Sequence, residues 1–267
     1  MDEGGQARGR RSLEELAEDA RALADGRGEA WLDLADVSLM DSPGSPLYWY
    51  HQAHRVRFEP ATADRRIAEV RAWFEGRGRV EWCWMIGPST TPADLAARLM
   101  STGAVLEGDE PTTVLVLDHE PGPAPTGIVV RRVESEADRR VYDAIRAAAF
   151  GFSAAERREE DDAFEARWAG AASSGDVAFI ARHGGVDGAV GSMEPIRDGA
   201  WMLYGAGTDA SMRGRGLFRA LVRARWDESV ARGGTGLIVD AKPTSAPILQ
   251  SLGFRPVARI TRLIDRA

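Results

Sequence analysis

The residues best suited to chemistry run from Asp209 to Phe218 and read Asp-Ala-Ser-Met-Arg-Gly-Arg-Gly-Leu-Phe. Glycine lets a backbone turn tightly and brings its N–H groups close to a ligand with no Cβ in the way. The first turn of the helix that follows carries unpaired N–H groups and the positive end of the helix dipole. Together Gly214, Gly216, Leu217 and Phe218 define an anion site suited to a diphosphate, to which Arg213 and Arg215 add charge. No Gly-Lys-Ser/Thr follows, so this is not a Walker loop, and no Gly-x-Gly-x-x-Gly appears. Taken alone, a glycine-rich turn before a helix is more often just a turn.

Immediately upstream lies an apolar run, Ala200 to Thr208, that ends in Tyr204-Gly205-Ala206-Gly207-Thr208. Two glycines so spaced in a strand mark either a bulge or a place where a ligand approaches the backbone. Three side chains nearby could move protons. Tyr204 enters the bulge and, on simple alternation, shares a face with Ala206 and Thr208. Asp240 ends the strand expected beside it, and Glu194 lies late on the preceding strand. Each also reads as an ordinary strand residue.

Other chemistry finds little support. His51, His54, His119 and His183 have no metal-ligand spacing, and Cys83 has no neighbouring cysteine, so no metal site is expected. Cys83 reads as a buried strand residue, and Trp73, Trp82 and Trp84 read as core. The run Arg157 to Asp162 reads as a solvated helix face.

The elements that must position the loop follow from periodicity. Ser12 with Glu15 is a capping-box pattern opening a helix that buries Leu13, Leu16, Ala20 and Leu23, ended by Gly26 and Gly28. Residues 47–58 alternate loosely as a strand, with Pro43, Gly44 and Pro46 before them in a loop. A helix over 62–75 and a strand over 80–86 come next. A helix starting at Thr91-Pro92 then turns Leu95, Leu99 and Met100 inward and stops at Gly103. Strands over 104–106 and 112–117 precede a proline-rich linker, 119–126. The second half predicts a strand over 127–133, helices over 135–149 and 155–169, and a hairpin (177–181 and 188–194) around Gly184-Gly185. The strand over 200–208 and a helix over 216–232 follow. A strand over 237–239, a short helix capped by Thr244 and closed by Gly253, and strands over 254–264 complete it. The two halves repeat one order: helix, strand, short helix, glycine, strands. Domains of 1–125, with 1–11 disordered, and 126–267 are therefore expected.

The chain has 267 residues, 34 basic against 41 acidic, for a formal charge of −7. That balance argues against nucleic acid as a partner. A single cysteine suits a reducing compartment. Neither a signal peptide nor an apolar stretch of about 18 residues is visible, so a cytoplasmic protein without a membrane partner is expected. The Ala-, Arg- and Gly-rich composition suits a bacterial genome of high G+C content.

Arg213-x-x-Gly216-x-Phe218, reached from a strand and opening a helix, resembles the acyl-CoA motif of the GNAT superfamily of N-acetyltransferases. Phe218 departs from the small residue usual there. Ser251-Leu252-Gly253-Phe254 resembles the Leu-Gly-Phe after the family's last helix. The resemblance implies an α/β tandem GNAT-like fold, with a mixed, mostly antiparallel sheet and helices on both faces in each half. The first half is a degenerate copy without the Arg-Gly loop, so no second CoA is placed there. The resemblance further implies acetyl-CoA as co-substrate, held by Arg213 to Phe218, with the thioester carbonyl on the amides of Ala206, Gly207 and Thr208. The acyl group would go to a small-molecule or peptide amine in a ternary complex, in a monomer or homodimer, with the acceptor pocket between the halves. Residues 150–155 would form its lid. The family's tyrosine acid falls at Leu249 and its asparagine at Lys242, which leaves Tyr204 and Asp240 as candidate catalytic residues. It also leaves open a non-catalytic acyl-CoA sensor, beside a nucleotide-phosphate binder unrelated to CoA.

Overall fold

A computed structural model describes residues 10–23, 30–42, 47–162, 164 and 175–267. Of residues 1–11, expected to be disordered, 1–9 lie outside these residues, as do the glycines at 26 and 28, the loop at 43–46 and most of the helix beyond 162; Arg11 is described and pairs with Asp198 at 2.8 Å.

The first half begins with α1 (Leu13–Ala17), whose capping box forms as the sequence predicts: Ser12 Oγ accepts from Glu15 N, and Glu15 accepts from Ser12 N at 2.7 Å. The expected longer helix gives way to a 3-10 turn, Ala20–Leu23. The two residues between them are engaged by distant groups, Glu18 by Ser89 and Asp19 by Arg57. The predicted apolar face survives, since Leu13, Leu16, Ala20 and Leu23 are all buried. Strands β1 (Ala30–Asp33) and β2 (Ser38–Asp41) follow, then β3 (His51–His54). The strand predicted over 47–58 is thus cut short. It starts in a 3-10 turn, Tyr48–Tyr50, and stops at Arg55, whose φ of 52° breaks the extended path. The Arg55 guanidinium is held there by the carbonyls of Leu34 and Ala35. Next come α2 (Ala63–Glu75), β4 (Glu81–Ile86), α3 (Leu95–Ser101), β5 (Val105–Leu106) and β6 (Thr112–Leu117). Helix α3 starts at Leu95 rather than at Pro92. Leu95 and Leu99 are buried, but Met100, expected inside, is 45% exposed.

The second half comprises β7 (Ile128–Arg132), α4 (Glu136–Phe150), α5 (Ala154–Asp162), β8 (Val177–His183), β9 (Val186–Pro195) and β10 (Ala200–Thr208). Helix α6 (Leu217–Ala231), β11 (Gly236–Ala241), α7 (Ala246–Ser251) and β12 (Arg255–Arg266) complete it. Ser245, not Thr244, stands at the N-terminal end of α7.

All strands join one sheet in the order β1-β2-β3-β4-β12-β6-β11-β10-β9-β8-β7, with β5 also on β12. Pairing is antiparallel except for β3–β4 and β10–β11. The repeat seen in the sequence is therefore structural: each half sets a strand, a helix and a parallel strand in succession. The halves exchange strands across the linker. From the first half, β6 inserts between β11 and β12; from the second, Thr261–Arg266 of β12 pairs with β4. Alternation along each strand splits the core in two. Leu203, Leu237, Leu115 and Leu117 pack under α6, while Met202, Ile238, Val114 and Val116 pack under α1. Helix α4 covers the α1 side through Tyr142, Ile180 and Val190.

Candidate functional site

The parallel pairing of β10 with β11 runs from Ala200–Gly236 to Leu203–Val239 and ends there, although β10 continues to Thr208 and β11 to Ala241. The two strands part, opening a gap at their C-terminal ends. On its other edge β10 stays paired with β9, but the register shifts between Tyr204–Ser192 and Gly207–Val190. Two residues, Gly205 and Ala206, therefore oppose Gly191, and Gly205 takes a φ of 61°. This bulge reverses the alternation assumed from sequence. Tyr204 does not share a face with Ala206 and Thr208: Tyr204 and Gly207 point to the α4 side, and Ala206 to the α6 side.

Two buried side chains converge on the bulge. From α4, Tyr142 donates its hydroxyl to the Gly205 carbonyl at 3.2 Å and lies 2.7 Å from Ser192 Oγ. From α6, Arg225 donates Nη1 to the Ser192 carbonyl at 3.4 Å and Nε to the Leu221 carbonyl at 3.1 Å. A Cβ at Gly191 would stand 3.1 Å from Arg225 Nη1 and 3.4 Å from Ala206 Cβ, so guanidinium and bulge are in close reach. Burial pushes the Arg225 guanidinium down to about 10, still charged at neutral pH. Neither residue stands out in the sequence. Only the tertiary fold brings them to the bulge.

After Thr208 the chain turns through Ala210–Met212, fixed by Asp209, which accepts from Ser211 N at 2.8 Å. Arg213, Gly214 and Arg215 are exposed. Gly214 has a φ of 74° and nothing within 4 Å of a Cβ there, which leaves the loop backbone open. Gly216, at φ 83°, is the N-terminal cap of α6, and no side chain bonds its amides. A Cβ on Gly216 would come within 2.7 Å of Pro125, so the linker packs beside this turn. Phe218, the residue too large for the expected motif, lays its ring 5.9 Å from the Arg225 guanidinium. Its size serves to cover a buried cation. Further along α6, Arg219 and Val222 wall a cavity of about 210 Å³ with His119, Pro121 and Gly253.

On the α4 side, Tyr204 donates to Asp176 Oδ2 at 2.6 Å. Burial first, then the negative charge of Asp176 and Glu194, hold its phenol well above the ordinary tyrosine value. Asp240 accepts from Arg262 at 2.5 Å, and Arg262 also bonds Glu107, which accepts from Tyr48. Tyr204 and Asp240 thus flank the gap but engage different partners. Lys242 stands 3.8 Å from Glu107. Leu249 is 2% exposed in the α6-side core. Phe150, expected in a lid, lies beside Gly207, and Phe152 packs 5.8 Å from Trp49 of the first half. The run expected to be a solvated face has one exception, because Glu160 is buried against Arg146.

Cys83 is buried, its thiol pushed up to about 12, which removes it as a nucleophile. Trp82 and Trp84 lie in the first-half core, with Trp73 packed against it. Among the described residues no group of three His, Cys, Asp or Glu side chains could hold a metal. No described helix is long and apolar enough to cross a membrane.

The corresponding gap in the first half is bridged. Beyond Ala53–Trp84, residues 56–58 bond to Thr91: Phe58 N donates to Thr91 O at 3.0 Å and Thr91 N to Val56 O at 3.2 Å. Backbone that could face a ligand there is used within the chain.

This arrangement shares its fold with solved structures that include GNAT proteins, one of them a tandem GNAT protein. A GCN5-related N-acetyltransferase from Kribbella flavida superposes with a TM-score of 0.67 at 18% identity, over 94% of this chain and 93% of that one. A conserved protein of unknown function from Staphylococcus epidermidis gives 0.68 at 9% identity, over 96% and 98%. A tandem GNAT protein from the clavulanic acid biosynthesis pathway gives 0.56 at 15% identity, over 86% and 78%. At these identities the likeness concerns the fold. No family model matches the sequence, and no curated protein matches it.

Proposed function

We propose that this protein is an acyltransferase that moves an acetyl group from acetyl-CoA to an amine. The observation that carries this reading is the parting of β10 from β11 after Leu203–Val239, beside the uncapped first turn of α6. The gap suits an extended pantetheine arm, and the loop at 213–218 suits its diphosphate, bound by backbone amides with Arg213 and Arg215 close by. The cavity beside Arg219 suits the nucleotide end. The backbone at Ala206 to Thr208, beyond the last pair with β11, suits the thioester carbonyl, where donors aimed at the developing oxyanion lower the barrier most.

In the reaction the amine lone pair forms the new C–N bond, the C–S bond breaks, and its electron pair leaves on sulfur. The proton lost by nitrogen is matched by one gained by sulfur. On the acceptor side, Tyr204 and Asp176 form the pair placed to handle the proton shed by nitrogen. Asp240 accepts from Arg262 and serves the frame of the gap. The acceptor is a small molecule or peptide reaching the gap between Phe150, Phe152 and Trp49. A bacterial, cytoplasmic setting and a monomer or homodimer accord with this reading.

The buried Leu249 favours a second reading, a sensor that binds acyl-CoA without turnover. Thermal melts with acetyl-CoA, followed by thiol release against a panel of amines, separate the two. Stabilisation with thiol release supports the enzyme, stabilisation without it supports the sensor, and no stabilisation defeats both.

A further inference from the structure

Arg225 is 1% exposed on α6, and its Nη2 has no hydrogen-bond partner. No carboxylate pairs with it among the described residues. The groups packed around it are carbonyls and small or apolar side chains: Ser192 and Gly191 on β9, Ala206 on β10, and Phe218 and Leu221 on its own helix. The titratable group facing it is Tyr142 of α4, across the bulge. An unneutralised buried guanidinium opposes folding, and an apolar residue of similar shape is often better tolerated. Its cost is balanced if an anion forms beside it. The neighbouring backbone is the bulge of β10 at Ala206, next to the gap. Leu249, which is 2% exposed, has no proton to give.

We propose that Arg225 is a positioning residue whose charge, delivered through the β10 bulge, stabilises the thiolate that leaves from CoA and makes a side-chain acid unnecessary. This rests on the acyl-CoA reading above. Arg225 keeps its own proton throughout. The C–S electron pair stays on sulfur as thiolate, which takes its proton from water after departure.

The test needs no acceptor. The full chain and its R225M, R225Q and R225K variants are saturated with CoA, and the ultraviolet absorbance of the bound thiolate is followed against pH. Wild type and R225K should give a bound thiol whose acid constant is at least tenfold larger than in R225M and R225Q. R225M should melt at or above wild type, because the substitution removes an unpaired buried charge. An identical thiol titration in all four proteins overturns the proposal while CoA binding stands. Unfolding of both uncharged variants also overturns it, since Arg225 would then be a packing residue. Failure of wild type to bind CoA would remove the acyl-CoA reading itself, a separate outcome.

Discussion

Leu203 on β10 faces Val239 on β11 in the last parallel pair the two strands make. One residue later the chain reaches Tyr204, then the bulge at Gly205 and Ala206, and seven residues after Ala206 it enters Arg213. Parting strands, bulge and glycine loop thus lie in sequence along a single continuous segment, which is why their geometry is coupled.

The loop is open to reversal of its charge. Arg213→Glu combined with Gly214→Asp places negative charge where a diphosphate is proposed to sit. Affinity for CoA should fall at least about 100-fold, or about 3 kcal/mol, by calorimetry. The domain should stay folded, since both positions are exposed, with a modestly lower melting temperature from an Asp held at the φ of 74° of Gly214. Unchanged affinity defeats the assignment of the loop.

Gly216→Ala tests the same turn through the backbone. The position has a φ of 83°, and a Cβ would meet Pro125 at 2.7 Å. Left-handed strain plus that overlap should cost about 1–3 kcal/mol of stability. A denaturation midpoint equal to wild type would show that linker and turn yield freely.

Tyr204→Phe removes the hydrogen bond to Asp176 and leaves the ring in place. If this pair handles the proton of the amine, turnover should drop by about tenfold or more, with CoA affinity unchanged. A wild-type rate takes Tyr204 off the list of catalytic groups.

Acid stability has a marked contributor away from the site. Asp187 is gripped by Arg182 and Arg131, whose bonds pull its carboxyl down to about 2. A depressed folded value means the stabilisation is full above the unfolded value near 3.9 and disappears as pH falls through about 2. Asp187→Asn should therefore destabilise the protein by about 1 kcal/mol at neutral pH, since solvent screens the partly exposed pair with Arg182. That gap between wild type and variant should close by about pH 2. A gap that persists in acid would mean packing, not charge, is at stake.

Much of the second half is legible from spacing. The strand ending at Thr208, the hairpin at Gly184-Gly185 and the helix after Gly216 fall within a residue or two of expectation, because each is bounded by glycine and has a strong apolar period. Where the first half is misread, long-range contacts win over local pattern. Arg55 leaves the β region because distant carbonyls hold its guanidinium, and α1 breaks where Glu18 and Asp19 reach to Ser89 and Arg57.

The sequence by itself determined the duplicated order of elements, the glycine-lined mouth of α6 and the absence of a hydroxyl at Leu249. These depend on residue type and on periods of two or 3.6, which neighbours along the chain fix. Tertiary structure alone decided the exchange of β6 and β12, the face to which Tyr204 turns, and the meeting of Tyr142 and Arg225 at Gly205 and Ser192. Those follow from where one extra residue falls in a strand, which Gly205 and Gly207 signal without fixing the faces, and from pairings more than thirty residues apart, which leave no local mark in the sequence.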